Sequence, residues 1–174
     1  MEIEIKARLK DKKKVATKLK QLGAEEQKQK HQFDQYYNHP SKDIRETNEY
    51  IRLRYLHNKN KGKFCYHVNA GDATKEYEVP VEDINTFKQI LKLCGFSPLG
   101  LIDKKRRTFD LDSFEITIDE VNGIGDFLEI EIDGEINEVK VKKARCLKLL
   151  EKIGLSKQDT CNIWLCDIAT RKDN

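Results

Sequence analysis

A chain of 174 residues, 38% hydrophobic and 36% charged, is long enough for one domain with a core and too regularly patterned to be disordered. A net charge of only +3 makes nucleic acid an unlikely partner, and no apolar run reaches the roughly 18 residues of a membrane-spanning helix. The five cysteines, Cys65, Cys94, Cys146, Cys161 and Cys166, fall at no metal spacing. Their odd number and the expected lack of a targeting segment point to free thiols in a reducing cytoplasm; the less favoured alternative is that Cys161 and Cys166 pair, or bind metal with other partners.

Strict alternation in Glu2-Ile3-Glu4-Ile5-Lys6 predicts a strand over residues 2–9. Asp11 caps a helix whose stripe is Val15, Leu19 and Leu22, ending at Gly23, and the Lys12-Lys13-Lys14 run is its solvated start. A long polar strand runs from Glu25 to Tyr37, closed by Asn38-His39-Pro40, and a loop with Arg45 and Glu46 follows. Glu49 to His57 is a strand in which Ile51, Leu53 and Tyr55 alternate with Arg52 and Arg54, and residues 58–62 turn the chain. Phe64, Tyr66 and Val68 alternate with Cys65, His67 and Asn69; Gly71-Asp72 turns again; Lys75 to Val79 is a strand that Pro80 ends.

Val81 to Cys94 reads as a helix burying Ile84, Phe87, Leu91 and Cys94. Strands are predicted over 99–109, 113–121 and 126–133, the last two joined by a hairpin at Asn122-Gly123-Ile124-Gly125. Ile136 to Ile153 is a helix with Ile136, Val139, Leu147 and Leu150 inward, and the tail 155–174 holds a short helix around Ile163, Trp164, Leu165 and Ile168, with Trp164 packing it down. No linker interrupts this order, so residues 1–174 read as a single domain.

The strands share a second, charged face: Glu2, Glu4, Lys6 and Arg8; Arg52 and Arg54; Glu76 and Glu78; Lys104 and Arg106; Asp119; Glu129 and Glu131. Successive residues on one face of a strand stand about 7 Å apart, so like charges at i and i+2 repel unless something compensates them. Two architectures accommodate the pattern. One is an open, curved sheet whose polar face meets water. The other is a closed antiparallel barrel of about eight strands, the number that just fills its interior, with helices outside and the charges within. Unpaired charge in such an interior is costly. The second arrangement makes sense if the acids hold a divalent metal and the bases a polyanion.

Glu2-x-Glu4-x-Lys6 resembles the ExExK opening of the CYTH superfamily, the triphosphate tunnel metalloenzymes. Gln32 to Asn38, Tyr50-Ile51-Arg52-Leu53-Arg54 and Ile102-x-Lys104-x-Arg106-x-x-Phe109 resemble later strands of that family, and Ile116 to Glu131 is similar to its class IV adenylyl cyclase (CyaB-like) branch. The resemblance covers about residues 1–155 in order. It implies an α+β fold, an eight-stranded antiparallel closed β-barrel with helices packed outside. It implies Mg²⁺ or Mn²⁺ on Glu2, Glu4, Asp119, Glu129 and Glu131, with Glu76 and Glu78 as supporting acids. It implies a phosphate cradle of Lys6, Arg52, Arg54, Lys104 and Arg106, of which Lys6, Arg52, Lys104 and Arg106 also act in catalysis.

Two departures bear on the activity. His67 stands where the family usually has a lysine; it can meet phosphate when protonated, but is the weaker cation at neutral pH. The His-Phe that precedes ExExK in class IV cyclases is missing, because the motif starts at residue 2. Both point away from cyclase activity and are compatible with hydrolysis. The expected function is therefore metal-dependent hydrolysis of a small-molecule triphosphate (tripolyphosphate, thiamine triphosphate or a nucleoside triphosphate) by a cytoplasmic monomer or homodimer. Conversion of ATP to cyclic AMP and pyrophosphate is the alternative. A non-catalytic polyphosphate-binding module comes next, disfavoured by so many carboxylates, and RNA 5′-end processing is disfavoured by the charge. Tyr36 and Tyr37 read as packing, and His31, His39 and His57 have no assigned role.

Overall fold

A computed structural model of the chain describes residues 1–70 and 73–161. The Gly71-Asp72 turn, the tail helix with Trp164, and Cys166 lie outside the described residues. The strands are β1 (Glu2–Leu9), β2 (Glu25–Glu26), β3 (Lys30–Asn38), β4 (Glu49–Leu56), β5 (Gly62–Ala70), β6 (Ala73–Val81), β7 (Ser97–Leu111), β8 (Phe114–Val121) and β9 (Gly125–Asp133). The helices are α1 (Lys12–Gln21), α2 (Ile84–Leu93) and α3 (Val139–Lys152). Hydrogen-bonded neighbours follow the order β2-β7-β3-β4-β5-β6-β1-β9-β8, and β7 also pairs with β8. Setting aside the two-residue β2, that order returns on itself through eight strands, the closed antiparallel barrel of an α+β fold. Among the described residues no helix is long and apolar enough to cross a membrane.

The described chain forms two compact units, one holding residues 1–30, 73 and 104–161 and the other residues 31–70 and 74–103. In the first, alternation puts Ile3, Ile5, Ala7 and Leu9 of β1 on one face with Ile130 and Ile132 of β9 and Ile116 and Ile118 of β8. Val15, Ala16 and Leu19 of α1 and Cys146, Leu149 and Leu150 of α3 cover that face. α1 starts where Asp11 accepts a hydrogen bond from the Lys14 amide at 3.0 Å, satisfying one of the helix's unpaired donors. In the second unit Tyr37, Ile51 and Leu53 pack with Val81 and with Ile84 and Leu91 of α2. Asp83 caps α2 by accepting from the Thr86 amide at 2.9 Å. Gly62 permits the approach of β5 to β4: a Cβ there would stand 2.1 Å from the Arg54 carbonyl oxygen.

Several expected boundaries move. The run Glu25–Tyr37 divides because β2 pairs with β7 whereas β3 pairs with β4. β6 continues through Pro80 to Val81, whose side chain joins the core, and α2 begins only after the Asp83 cap. Cys94 is exposed, leaving Ile84, Leu91 and the partly buried Phe87 as the inward set of α2. The last helix opens with a 3-10 turn over Ile136–Glu138, whose three residues per turn put Ile136 out of phase; it is 61% exposed. The inward residues are Cys146, Leu149, Leu150 and Ile153, with Val139 and Leu147 partly buried.

Leu19 has no exposure, whereas Val141 on α3 is 66% exposed. Leu19→Ala is expected to lower unfolding free energy by about 2–5 kcal/mol in urea titrations, through lost burial and a residual cavity. Val141→Ala should stay within about 0.5 kcal/mol of the parent protein.

Candidate functional site

In the first unit, the face of the sheet opposite the apolar core carries the charges. Residues directly opposite in an antiparallel pair share a face, so the register reads as rows. Lys6 stands opposite Glu129, and Glu129 opposite Thr117. Asp119 stands opposite Arg106. Glu4 stands opposite Glu131, and Glu131 opposite Glu115. Glu2 lies at the end, opposite Asp133.

The rows with mixed charge are densely paired. Asp119 has no exposure; it accepts from Arg106 Nε at 2.7 Å, Arg106 Nη2 at 2.6 Å and Lys104 Nζ at 2.9 Å. Arg106 Nη2 also donates to Glu129 Oε2 at 2.7 Å, and Lys6 Nζ lies 3.0 Å from Glu129 Oε1. Burial alone would raise the pKa of Glu129, but Lys6 and Arg106 outweigh it and hold the carboxyl well below its ordinary value. Asp119 is lowered the same way, its burial outweighed by Arg106 and Lys104.

The acid row is less fully compensated: Lys6 Nζ lies 3.9 Å from Glu4 Oε1, against 3.0 Å from Glu129. Burial raises Glu4, with Lys6 opposing and Glu129 reinforcing the shift. Burial pushes Glu131 up to about 8, with Glu115, Glu4 and Glu129 adding to it. These carboxyls sit where negative charge is disfavoured unless a cation arrives.

The second unit pairs its charges on an equivalent face. Asp34, fully buried, accepts from Arg54 Nε at 2.7 Å and Nη2 at 2.9 Å, the bidentate fork that guanidinium geometry favours. Arg52 Nη2 donates to Glu76 Oε1 at 3.1 Å, and its Nη1 lies 3.7 Å from Asp34 Oδ2. The β4–β5 register sets Arg52 opposite Cys65 and Tyr50 opposite His67. The His67 ring stacks on Tyr50 with centroids 4.0 Å apart, and its Nε2 lies 2.9 Å from Glu76 Oε1. Burial pushes His67 down to about 4; Glu76 opposes this, while Arg52 and Arg54 add to it, so the ring is neutral at pH 7. Glu78 accepts from Lys63 Nζ at 2.5 Å and from the Cys65 thiol at 3.3 Å. Burial raises that thiol to about 12.

The structure thus brings Glu4, Lys6, Lys104, Arg106, Asp119, Glu129 and Glu131 onto one face of the first unit, with Glu2 at its end. It gathers Arg52, Arg54, His67, Glu76 and Glu78 on one face of the second. Asp34, Glu115 and Cys65 belong to these faces and were not singled out from the sequence. Asp34 was legible in principle, since it shares a face of β3 with Tyr36, opposite the arginines of β4. Glu115 and Cys65 show their place only through register.

The CYTH domain family matches residues 1–162. A protein of Methanocaldococcus jannaschii named "Putative adenylate cyclase" is 34% identical over 166 residues, covering 91% of this chain and 93% of that protein. Protein PH1012 of Pyrococcus horikoshii shares the fold at a TM-score of 0.86 and 24% identity, over 97% of this chain and 99% of its own. HpAC1 of Hippeastrum is similar at a TM-score of 0.62 and 18% identity, over 89% of each chain; it carries an adenylyl cyclase name and reveals a dominant triphosphatase activity. A family match over this length, together with a relative at that identity, means that the chain belongs to the CYTH domain family.

Proposed function

We propose that this CYTH protein is a metal-dependent hydrolase of a small-molecule triphosphate: inorganic tripolyphosphate, thiamine triphosphate or a nucleoside triphosphate. The observation that carries the reading is the acid row Glu4–Glu131–Glu115 beside a row whose charges are already paired. Carboxylates whose proton affinity is raised by burial and by neighbouring acids suit a hard, oxygen-seeking dication. Glu4 and Glu131 would hold Mg²⁺ or Mn²⁺, with Glu2, Glu129 and Asp119 as the further acids of the set. Bound there, the ion supplies neutralisation of phosphate charge and activation of water.

The bases have the complementary task. Lys6, Lys104 and Arg106 are assigned to phosphate oxygens at the first unit, as Arg52 and Arg54 are, taken separately, at the second. Their present carboxylate partners hold them extended from rigid strands, which limits the entropy lost on binding. In hydrolysis a water oxygen bonds to phosphorus, the bridging P–O bond breaks, and the leaving phosphate takes the electron pair. Neutral His67 adds no positive charge to such a cradle, where the family's lysine would.

Cyclase activity is the second reading, because the Methanocaldococcus jannaschii relative bears that name. The Hippeastrum protein bears a similar name and has a dominant triphosphatase activity, so a name of this kind does not decide for cyclisation. The same proposal places the protein in the cytoplasm as a monomer or homodimer.

Incubation with ATP, tripolyphosphate and thiamine triphosphate, each with Mg²⁺ or Mn²⁺, is expected to release orthophosphate without cyclic AMP. Cyclic AMP with pyrophosphate would establish the cyclase instead, and no turnover of any of the three would sink both readings. Glu4→Gln should lower metal-dependent turnover at least about 100-fold while leaving far-ultraviolet circular dichroism unchanged; retained activity would remove Glu4 from the metal set.

A pH dependence follows from Glu131. In chelator, the folded protein keeps its proton up to about pH 8, whereas the unfolded chain releases it near 4.5. Between these values the folded state binds more protons than the unfolded state, so this group lowers stability as pH rises through the window. Glu131→Gln removes the decline. Above about pH 8 in EDTA, the variant should exceed the parent by about 1–3 kcal/mol in urea unfolding. Parallel stability–pH curves would show that Glu131 is already compensated.

A further inference from the structure

We infer that Cys65, His67 and Glu76 form a second metal site, for an ion of the zinc class rather than for magnesium. The inference stands apart from the proposed hydrolysis and uses residues that the acid row does not. Cys65 Sγ, a ring nitrogen of His67 and a carboxylate oxygen of Glu76 all lie within 4.8 Å of one another. Tetrahedral ligands at zinc distances lie roughly 3.4–3.7 Å apart, so closing this set needs only small side-chain torsions. Cys65 and His67 occupy positions i and i+2 of β5 and therefore share a face.

Three further observations point to a ligand. His67 is 2% exposed; among the described residues its Nδ1 has no hydrogen-bond partner, and its Nε2 meets only the Glu76 carboxylate, at 2.9 Å. A buried imidazole with an unsatisfied ring nitrogen is costly, and metal coordination is a common way to satisfy one. Cys65 is fully buried, so neither solvent nor chance disulfide exchange competes for its sulfur. The surroundings also supply a supporting shell. Arg52 donates to Glu76 Oε1 and so orients that carboxylate, and Tyr50 fixes the imidazole plane by stacking. Glu78, 3.3 Å from Cys65, accepts the thiol hydrogen bond and would take up its proton as thiolate forms.

The donor set selects the ion. Thiolate, imidazole and one carboxylate suit Zn²⁺, Co²⁺ and similar borderline ions, whereas Mg²⁺ seeks oxygen and retains its waters. Binding would neutralise the new thiolate and leave the neighbouring ion pairs in place.

The test uses the full-length reduced protein, stripped with chelator and titrated with Co²⁺. One equivalent is expected to produce a near-ultraviolet thiolate-to-cobalt charge-transfer band, which Zn²⁺ abolishes and Mg²⁺ does not. Cys65→Ser should lose the band, and His67→Ala should weaken Co²⁺ binding about tenfold or more. Cys94→Ser and Glu131→Gln should keep the band, which separates this site from exposed thiols and from the acid row. Glu76→Gln serves as a further variant should Cys65→Ser fold poorly, with the same loss of affinity expected. Absence of the band in the parent protein, its survival in Cys65→Ser, or unchanged affinity in both His67→Ala and Glu76→Gln would overturn the assignment. Triphosphate turnover is not part of the readout, so its absence would leave this result standing.

Discussion

The first unit is organised by the ionic cluster centred on Asp119. A carboxylate without solvent exposure is tolerated only when cations and hydrogen bonds surround it, and Lys104 and Arg106 provide both. Arg106 then reaches Glu129, and Glu129 reaches Lys6, so one chain of charges crosses β7, β8, β9 and β1. Every link requires antiparallel register held to the residue. A slip of one position would put Ile118 or Ile130 into the cluster and bury Asp119 among apolar side chains. The apolar face beneath α1 and α3 supplies the opposing constraint, since it permits one register only. Polar chemistry and core packing are therefore two readings of one alternation.

Because the mixed rows satisfy themselves, the acid row stands out. Glu4 and Glu131 face each other across β1 and β9 with a third carboxylate, Glu115, next in line; Lys6, 3.9 Å from Glu4, lies closer to Glu129, and Arg106 donates to Glu129. The second unit shows the paired condition for comparison. Asp34 takes the place that Asp119 takes in the first unit, fully buried and gripped by an arginine fork, and Glu76 shares Arg52 with it.

Much of this was legible in the chain itself. Period-two alternation located the strands, and the like-charge pairs at i and i+2 marked the faces on which chemistry would sit. Family resemblance then implied closure into a barrel, which local patterning leaves open between a curved sheet and a closed one. Less legible were features set by partners distant in sequence. The break between β2 and β3 depends on two different neighbours. The outward Ile136 depends on a 3-10 turn that a helical wheel does not anticipate. Cys65 looked unremarkable because metal spacing in sequence counts residues along one segment. Here the third donor comes from the next strand, and only hairpin register brings Glu76 to the Cys65–His67 face.

The presence of histidine at position 67 ties these threads together. In the second unit Asp34, Glu76 and Glu78 oppose Arg52, Arg54 and Lys63, three carboxylates against three cations. A lysine at position 67, as the family pattern has it, would leave one positive charge in excess, available to an anion. A neutral histidine removes that excess, so this face lacks the additional positive charge that the lysine of the family pattern would supply. A dication held by His67, a Cys65 thiolate and Glu76 would bring two positive charges and one new negative charge, restoring a net charge of plus one where the lysine would have placed it. On this account, substituting a ligand for a cation leaves the electrostatics of the face conditional on metal occupancy.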